Sequence, residues 1–189
     1  MQSRTNKFLL CLTLLTLISC NRKKEVENSI KYFEFSYNDT FRSSYTLIYK
    51  PNDSLYFRQH WSASDVFDSL KIPRGKTNYA AKINASEEEK LVKLISALKL
   101  GKLKNEYFED YSDGTTYSIF IDKDSINKLV AIHSHHIPKE LDSLTRWIRE
   151  FKEKLKIKRT EKKLEFKSSK YVLPPPPPPP IVEKNKNGI

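Results

Sequence analysis

From Ile30 onward, apolar and polar residues alternate with a period of two: Phe33, Phe35 and Tyr37, then Tyr45, Leu47 and Tyr49, then Leu55, Phe57 and Trp61. A strand sends successive side chains to opposite faces, so each run carries one aromatic or aliphatic stripe and one polar stripe. Asn38 and Asp39 predict the first turn and Pro51, Asn52, Asp53 and Ser54 the second, which makes the three runs a β-meander. Such dense aromatic residues suit the core face of half-buried strands better than a ligand cage. Residues 62–75 read as a loop ending at Pro73 and Gly75, and a weaker strand is expected from Tyr79 to Ile83.

The period then changes. Ser86 followed by Glu87, Glu88 and Glu89 predicts a capping box, with the serine accepting from the amide of Glu89. Leu91, Leu94, Ile95 and Leu98 form one helical face, and Gly101 is the expected stop. The glutamates suit the positive end of the helix dipole and need no catalytic reading. Alternation returns at Tyr117, Ile119 and Ile121; Asp122 to Ser125 turns the chain, and Leu129 to His133 gives a sixth strand. Pro138 suits the first position of a second helix, whose stripe is Leu141, Leu144, Ile148, Phe151 and Leu155. The expected fold is therefore α+β, an antiparallel sheet of about six strands with two amphipathic helices packed on one face.

Outside 30–158 the patterning stops. Arg4 and Lys7 precede an apolar run from Phe8 to Ile18, interrupted only by Thr13 and Thr16. Eleven residues of helix rise about 16 Å, roughly half a hydrocarbon core, which is a signal peptide rather than a membrane span. The run ends in Leu17, Ile18, Ser19, Cys20, an aliphatic residue, a tolerant position, a small residue and a cysteine. This resembles the lipobox of bacterial lipoproteins. The resemblance implies diacylglyceryl transfer to the Cys20 thiol, cleavage between Ser19 and Cys20, and acylation of the freed amine by a chain such as palmitate. Two or three acyl chains hold a protein on a bilayer effectively permanently. Asn21 stands where aspartate marks inner-membrane retention in some bacteria, so the resemblance leans toward the outer membrane.

The expected organisation is a signal peptide over 1–19, a lipidated tether over 20–29, the α+β domain over 30–158 and a tail over 159–189. Of the 34 basic residues, Arg4 and Lys7 go with the signal, leaving 32 against 23 acidic. Nine Lys or Arg and three Glu fall between Lys152 and Lys170, so most of the surplus is local. That segment lacks interleaved aromatics beyond Phe166, which disfavours nucleic acid and leaves anionic lipid, another envelope polyanion, or plain solvation. Pro174, Pro175, Pro176, Pro177, Pro178, Pro179 and Pro180 follow, in an otherwise polar end expected to be disordered. A run of prolines favours a polyproline II rod, a common partner-docking form and an equally good spacer. Cys11 leaves with the signal and Cys20 is taken by lipid, so no thiol remains for disulfides, metal or catalysis.

A second resemblance covers about 30–155. Tyr45, Thr46 and Leu47 in an early strand, Asp113 and Gly114 before Tyr117, Ser118 and Ile119, and the helix start Pro138, Lys139, Glu140, Leu141 resemble small bacterial envelope lipoproteins with a domain of unknown function. It implies no active site. The chain has no Gly-rich phosphate loop, no Gly-x-Ser-x-Gly elbow and no His-Glu-x-x-His pair. Asp122 and Asp124 begin like a calcium loop, but Asn127 stands at its glycine position and His133 at its bidentate glutamate, so a hairpin is expected.

His133, His135 and His136 are the one cluster with possible chemistry. Alternation would put His133 and His135 on one face, where His60 or Glu140 could complete a zinc site. The histidines read equally as strand-end residues. The expected function is accordingly a membrane-anchored, non-enzymatic envelope interaction module without a cofactor. It would sit in the cell membrane or outer membrane and face the periplasm or cell exterior, its partners the bilayer through Cys20 and an envelope protein or polyanion through the tail. The alternative is a metal-dependent envelope enzyme built on His133, His135 and His136.

Overall fold

The alternating runs become strands because each can lay its aromatic stripe against the next. In the computed structural model, residues 30–62, 77–111 and 114–168 are described. They form β1 (Ile30–Asp39), β2 (Ser43–Tyr49), β3 (Leu55–Ser62), β4 (Thr77–Ala81), α1 (Ala85–Ser96), β5 (Glu106–Phe108), β6 (Thr115–Lys123), β7 (Ile126–His133), α2 (Lys139–Lys152) and β8 (Ile157–Arg159). One sheet holds all eight strands in the order β5-β7-β6-β1-β2-β3-β4-β8. β5 runs parallel to β7, and every other pairing is antiparallel. Among the described residues, no helix is long and apolar enough to cross a membrane.

The class is α+β, but the expected six-stranded antiparallel sheet is corrected to a mixed sheet of eight. The two extra strands, β5 and β8, have three residues each, too few to show a period of two. Local boundaries move as well. β1 continues through Asn38 and Asp39, pairing Asp39 with Ser43, and the turn falls on the next three residues. The cap of α1 is Asn84, which accepts from the Glu87 amide while Glu87 reaches back to the Asn84 amide. Asn84 and Glu87 have the same spacing as Ser86 and Glu89, and the earlier pair gains two helical residues. α1 stops at Ser96, before Gly101, because the chain must turn there to bury Leu98, Leu100 and Leu103. Pro138 caps α2 rather than opening it. The side chain of Trp61, Asp113 and most of the expected 62–75 loop lie outside the described residues.

One set of alternating strand positions joins both helices in a single core. Phe33, Phe35, Leu47, Tyr49, Leu55, Phe57, Ile119, Ile121, Val130 and Ile132 meet Leu91 and Ile95 of α1 and Leu141, Leu144, Ile148 and Phe151 of α2. Leu155, three residues past α2, still packs against that cluster. Tyr117, Phe35, Tyr37, Tyr45, Phe57 and Tyr79 form a ladder of rings across five strands, with neighbouring centroids 5.0 to 6.4 Å apart. Aromatic pairs at such separations add to their area burial.

The opposite face is covered too. After β8 the chain crosses the sheet as a strap over residues 160–168, the stretch expected to begin the tail. Thr160 donates its amide to Asn78 O at 2.9 Å, and Asn78 Nδ2 donates to Lys162 O at 2.9 Å. Leu164 and Phe166 pack on Tyr32, Ile48, Tyr56, Ala80 and Phe120. The Arg58 guanidinium stacks on Phe166 at 4.4 Å, and Lys167 Nζ lies over Phe120 at 4.5 Å and Tyr32 at 4.8 Å.

The strap ends on Glu34, whose side chain is completely buried in the middle of the sheet. A desolvated carboxylate is costly unless donors surround it. Tyr32 Oη donates to Glu34 at 2.5 Å, the amides of Lys167 and Ser168 at 2.9 and 2.6 Å, and Ser168 Oγ at 2.6 Å. Each hydroxyl has one proton, so the Ser168 proton spent on Glu34 sets the direction of the rest. Ser36 donates to Ser168 at 2.8 Å, Thr46 to Ser36 at 2.7 Å, and His60 Nε2 must then donate to Thr46 at 2.8 Å. Ser118 Oγ donates to Ser168 O at 2.7 Å.

A domain cut at 158 would strip Glu34 of three donors and uncover Tyr32, Ile48, Tyr56 and Phe120. Replacing Glu34 by leucine leaves the amides of Lys167 and Ser168 unpaired, and at one to three kcal/mol per lost charged or buried bond it should lower stability by about 3 kcal/mol. Ser168→Ala should cost about 1 kcal/mol. Chemical denaturation of the full-length variants checks both; an unchanged midpoint in Glu34→Leu would show that the strap is not held by this carboxylate.

Candidate functional site

The three histidines gather where β5 and β7 end side by side. Parallel pairing aligns Phe108 with His133, and the Glu109 amide donates to His133 O at 2.8 Å. Glu109 therefore emerges next to the chain leaving β7. Its Oε2 accepts from the His135 amide at 3.0 Å and lies 3.1 Å from His135 Nδ1, while its Oε1 meets His136 Nδ1. These bonds, the His135 amide first and the His136 ring next, hold the Glu109 carboxyl well below its usual range, at about 2. Both imidazoles are largely exposed, so the ion pairs orient the loop more than they stabilise the fold.

His133 is engaged differently. Its ring stacks on Tyr111 with centroids 4.0 Å apart and lies 5.7 Å from Phe108. Nε2 sits 2.8 Å from Tyr111 O, an acceptor only, so Nε2 carries the proton and Nδ1 accepts from Thr116 Oγ1 at 3.3 Å. Both ring nitrogens are thus occupied. Gly114 (φ 132°) keeps a backbone no L side chain adopts easily, and a Cβ there would come within 2.9 Å of the Tyr111 ring.

This arrangement corrects the ligand set read from alternation. β7 ends at His133, so His135 does not continue its face; the chain turns and brings His135 and His136 onto one carboxylate. His60 is bonded to Thr46 and packs edge-on against Phe166 of the strap at 5.8 Å. Glu140 lies in the first turn of α2. Among the described residues no group of three or more His, Cys, Asp or Glu side chains could hold a metal ion. Asp122 and Asp124 flank the β6–β7 hairpin, with Asp124 at φ 56°. Ser19, Cys20 and Pro174 to Pro180 lie outside the described residues.

The basic segment divides in two. Lys162 Nζ is 2.6 Å from Tyr56 Oη and 3.5 Å from Asp53 Oδ2, so it is turned onto the sheet with Lys167. Lys154 and Lys156 before β8, Lys158 on it and Lys163 on the strap are exposed, as Lys162 and Lys167 are too.

The residues alone singled out neither Glu109 nor the strap. Leu164 and Phe166 two residues apart inside a basic run were the available signal for the strap. Nothing local marks Glu109, because its partners are about 26 residues away and meet it only through parallel pairing. Comparison with family models, curated proteins and solved structures yields no match for this chain.

Glu109 has a folded pKa below its ordinary value, so its contribution is present above about 4.5 and lost as pH falls toward about 2. Carboxyl-carbon NMR should place the Glu109 midpoint near 2; a midpoint near 4.5 would mean that the histidine loop does not hold it.

Proposed function

We propose that this chain is a lipid-anchored bacterial envelope protein whose folded part is a non-enzymatic binding module. The observation that carries the proposal is the sequence Leu17, Ile18, Ser19, Cys20 at the end of a charged and then apolar leader. Cys20 would hold the diacylglyceryl group in the cell membrane or outer membrane, with the domain facing the periplasm or cell exterior. Nine residues separate Cys20 from Ile30, a span of up to about 30 Å that lets the sheet stand clear of lipid head groups. Arg22, Lys23 and Lys24 in that tether suit an anionic surface.

The other end supports the reading from a different direction. Ser168 is bonded to Glu34, Ser36 and Ser118, and Pro174 follows six residues later. The proline run therefore starts within about 20 Å of a fixed point on the sheet. A polyproline segment with a defined origin is suited to meet an envelope protein or polymer, with the exposed lysines beside the strap adding attraction for a polyanion. The metal-dependent alternative at His133, His135 and His136 would leave Glu109 on the Nδ1 atoms of His135 and His136 and bind metal through their Nε2 atoms, and it would require His133 to give up one of its two bonds.

Mass spectrometry of the protein isolated from native membranes should find Cys20 as an acylated N-terminus; an unmodified cysteine or an intact leader would sink the anchor. Cross-linking in intact envelopes should capture a partner that is lost when Pro174 to Pro180 are replaced by Gly and Ser of equal length. Capture that survives the exchange would exclude recognition of the prolines.

A further inference from the structure

Between the strap and the first three strands lies a cleft of about 370 Å³. That size lies within the usual range of small-ligand sites. Its apolar wall belongs to the small cluster under the strap, with the rings of Tyr32 and Tyr56 on the sheet side and Phe166 on the other. Both phenols are already spent, since Tyr32 Oη donates to Glu34 at 2.5 Å and Tyr56 Oη to Asp53 at 2.9 Å. Neither has a proton left for a ligand.

The charged lining is one-sided. Lys50, Lys162, Lys163 and Lys167 line the cleft against a single carboxylate, Glu165. Lys162 is provided for: its Nζ donates to Tyr56 Oη at 2.6 Å and lies 3.5 Å from Asp53 Oδ2. The ammoniums of the other three have no carboxylate partner among the described residues. Lys50 Nζ lies 5.5 Å from the centre of the Tyr32 ring, and Lys167 Nζ lies 4.8 Å from that same centre and 4.5 Å from the Phe120 ring. A ring face attracts an ammonium without cancelling its charge. Two like charges are thus held beside one ring, with Lys163 lining the same cleft and only Glu165 to offset the three. Glu34 lies beneath them, but its oxygens already accept from four donors.

Lys50, Lys163 and Lys167 are all exposed, so an anion from solvent can reach their ammoniums. The chemistry of lysine limits its kind. An ammonium is a point charge without the planar fork of a guanidinium, so a set of them favours high charge and oxygens pointing in several directions over a flat carboxylate. We propose that the strap cleft binds a phosphate group, whose oxygens accept from Lys50, Lys163 and Lys167. Its source is a lipid head group or the free ion. The cleft lies near the end of the sheet that the tether enters, because Tyr32 is two residues from Ile30 and Lys50 stands beside it. The inference deepens the reading of the folded part as a binding module and does not rest on the anchor: an unmodified Cys20 would remove the anchor and leave this site untouched.

The test uses the full chain, labelled with 13C-lysine and purified in non-ionic detergent. The Cε signals of Lys50 and Lys167, assigned by their absence from Lys50→Gln and Lys167→Gln, are followed during titration at constant ionic strength. Inorganic phosphate stands for the free ion, glycerol 3-phosphate for a lipid head group without its chains, and acetate for the excluded class. At least one of the phosphates should shift both signals saturably at millimolar concentration. Glycerol 3-phosphate binding at least as tightly as the free ion identifies the lipid source, and weaker binding identifies the free ion. Losing one charged contact corresponds to about tenfold weaker binding, which is expected for Lys50→Gln and Lys167→Gln. Lys139→Gln, at the start of α2 on the other face of the sheet, should bind as before. Lys50→Gln leaves the strap itself unaltered and keeps the test open if Lys167→Gln loosens it. The proposal is overturned if neither phosphate gives a saturable response up to about 50 mM, if acetate binds as tightly, or if Lys50→Gln leaves the affinity unchanged.

Discussion

A carboxylate at the centre of a β-sheet cannot remain there without donors, and Glu34 finds them in a part of the chain more than 130 residues away. Two backbone amides, one serine hydroxyl and one tyrosine hydroxyl meet its oxygens. Hydrogen bonds to a charged acceptor in a dry interior are among the stronger ones available to a protein. They are directional, so they fix the register of the strap as well as its presence. Leu164 and Phe166 then cover Tyr32, Ile48 and Tyr56, an apolar patch too small to specify that register by packing alone.

The sheet is consequently closed on both faces by different means. The helix side is a continuous apolar core, whereas the strap side mixes a small apolar cluster with a chain of hydroxyls running from Glu34 to His60. A fully satisfied buried polar network rigidifies its surroundings, and a half-satisfied one is worse than none. For the proposed function this matters at the chain's end. The strap holds a basic segment on the sheet as far as Ser168, the last described residue. It also lays Lys162 and Lys167 against tyrosines of the sheet while both stay exposed.

Much of the helix side was legible in the residues. Phe33, Phe35, Tyr45, Leu47, Leu55 and Phe57 alternate, Leu141, Leu144, Ile148 and Phe151 recur at helical spacing, and burial of one stripe per element follows from those periods. The strap side was not legible, because Glu34, Ser36 and Thr46 look like solvated strand residues until something covers them. Period-two patterning says which residues share a face but not what lies above it. Glu109 and the histidines show the same limit: the histidines stood out by composition, while the carboxylate that organises them arrives through β5, three residues long and parallel. The expectations for Cys20 and the prolines rest on the sequence alone, since those residues lie outside the described ones.

The account depends on the strap being part of the native sheet structure, and amide hydrogen exchange of the full chain addresses that directly. The amides of Lys167 and Ser168 point at a buried carboxylate, so they should exchange as slowly as those of Phe35 and Leu47 in the central strands. Free exchange at Lys167 and Ser168 while the strand amides stay protected would contradict it, and would return residues 160–168 to the tail.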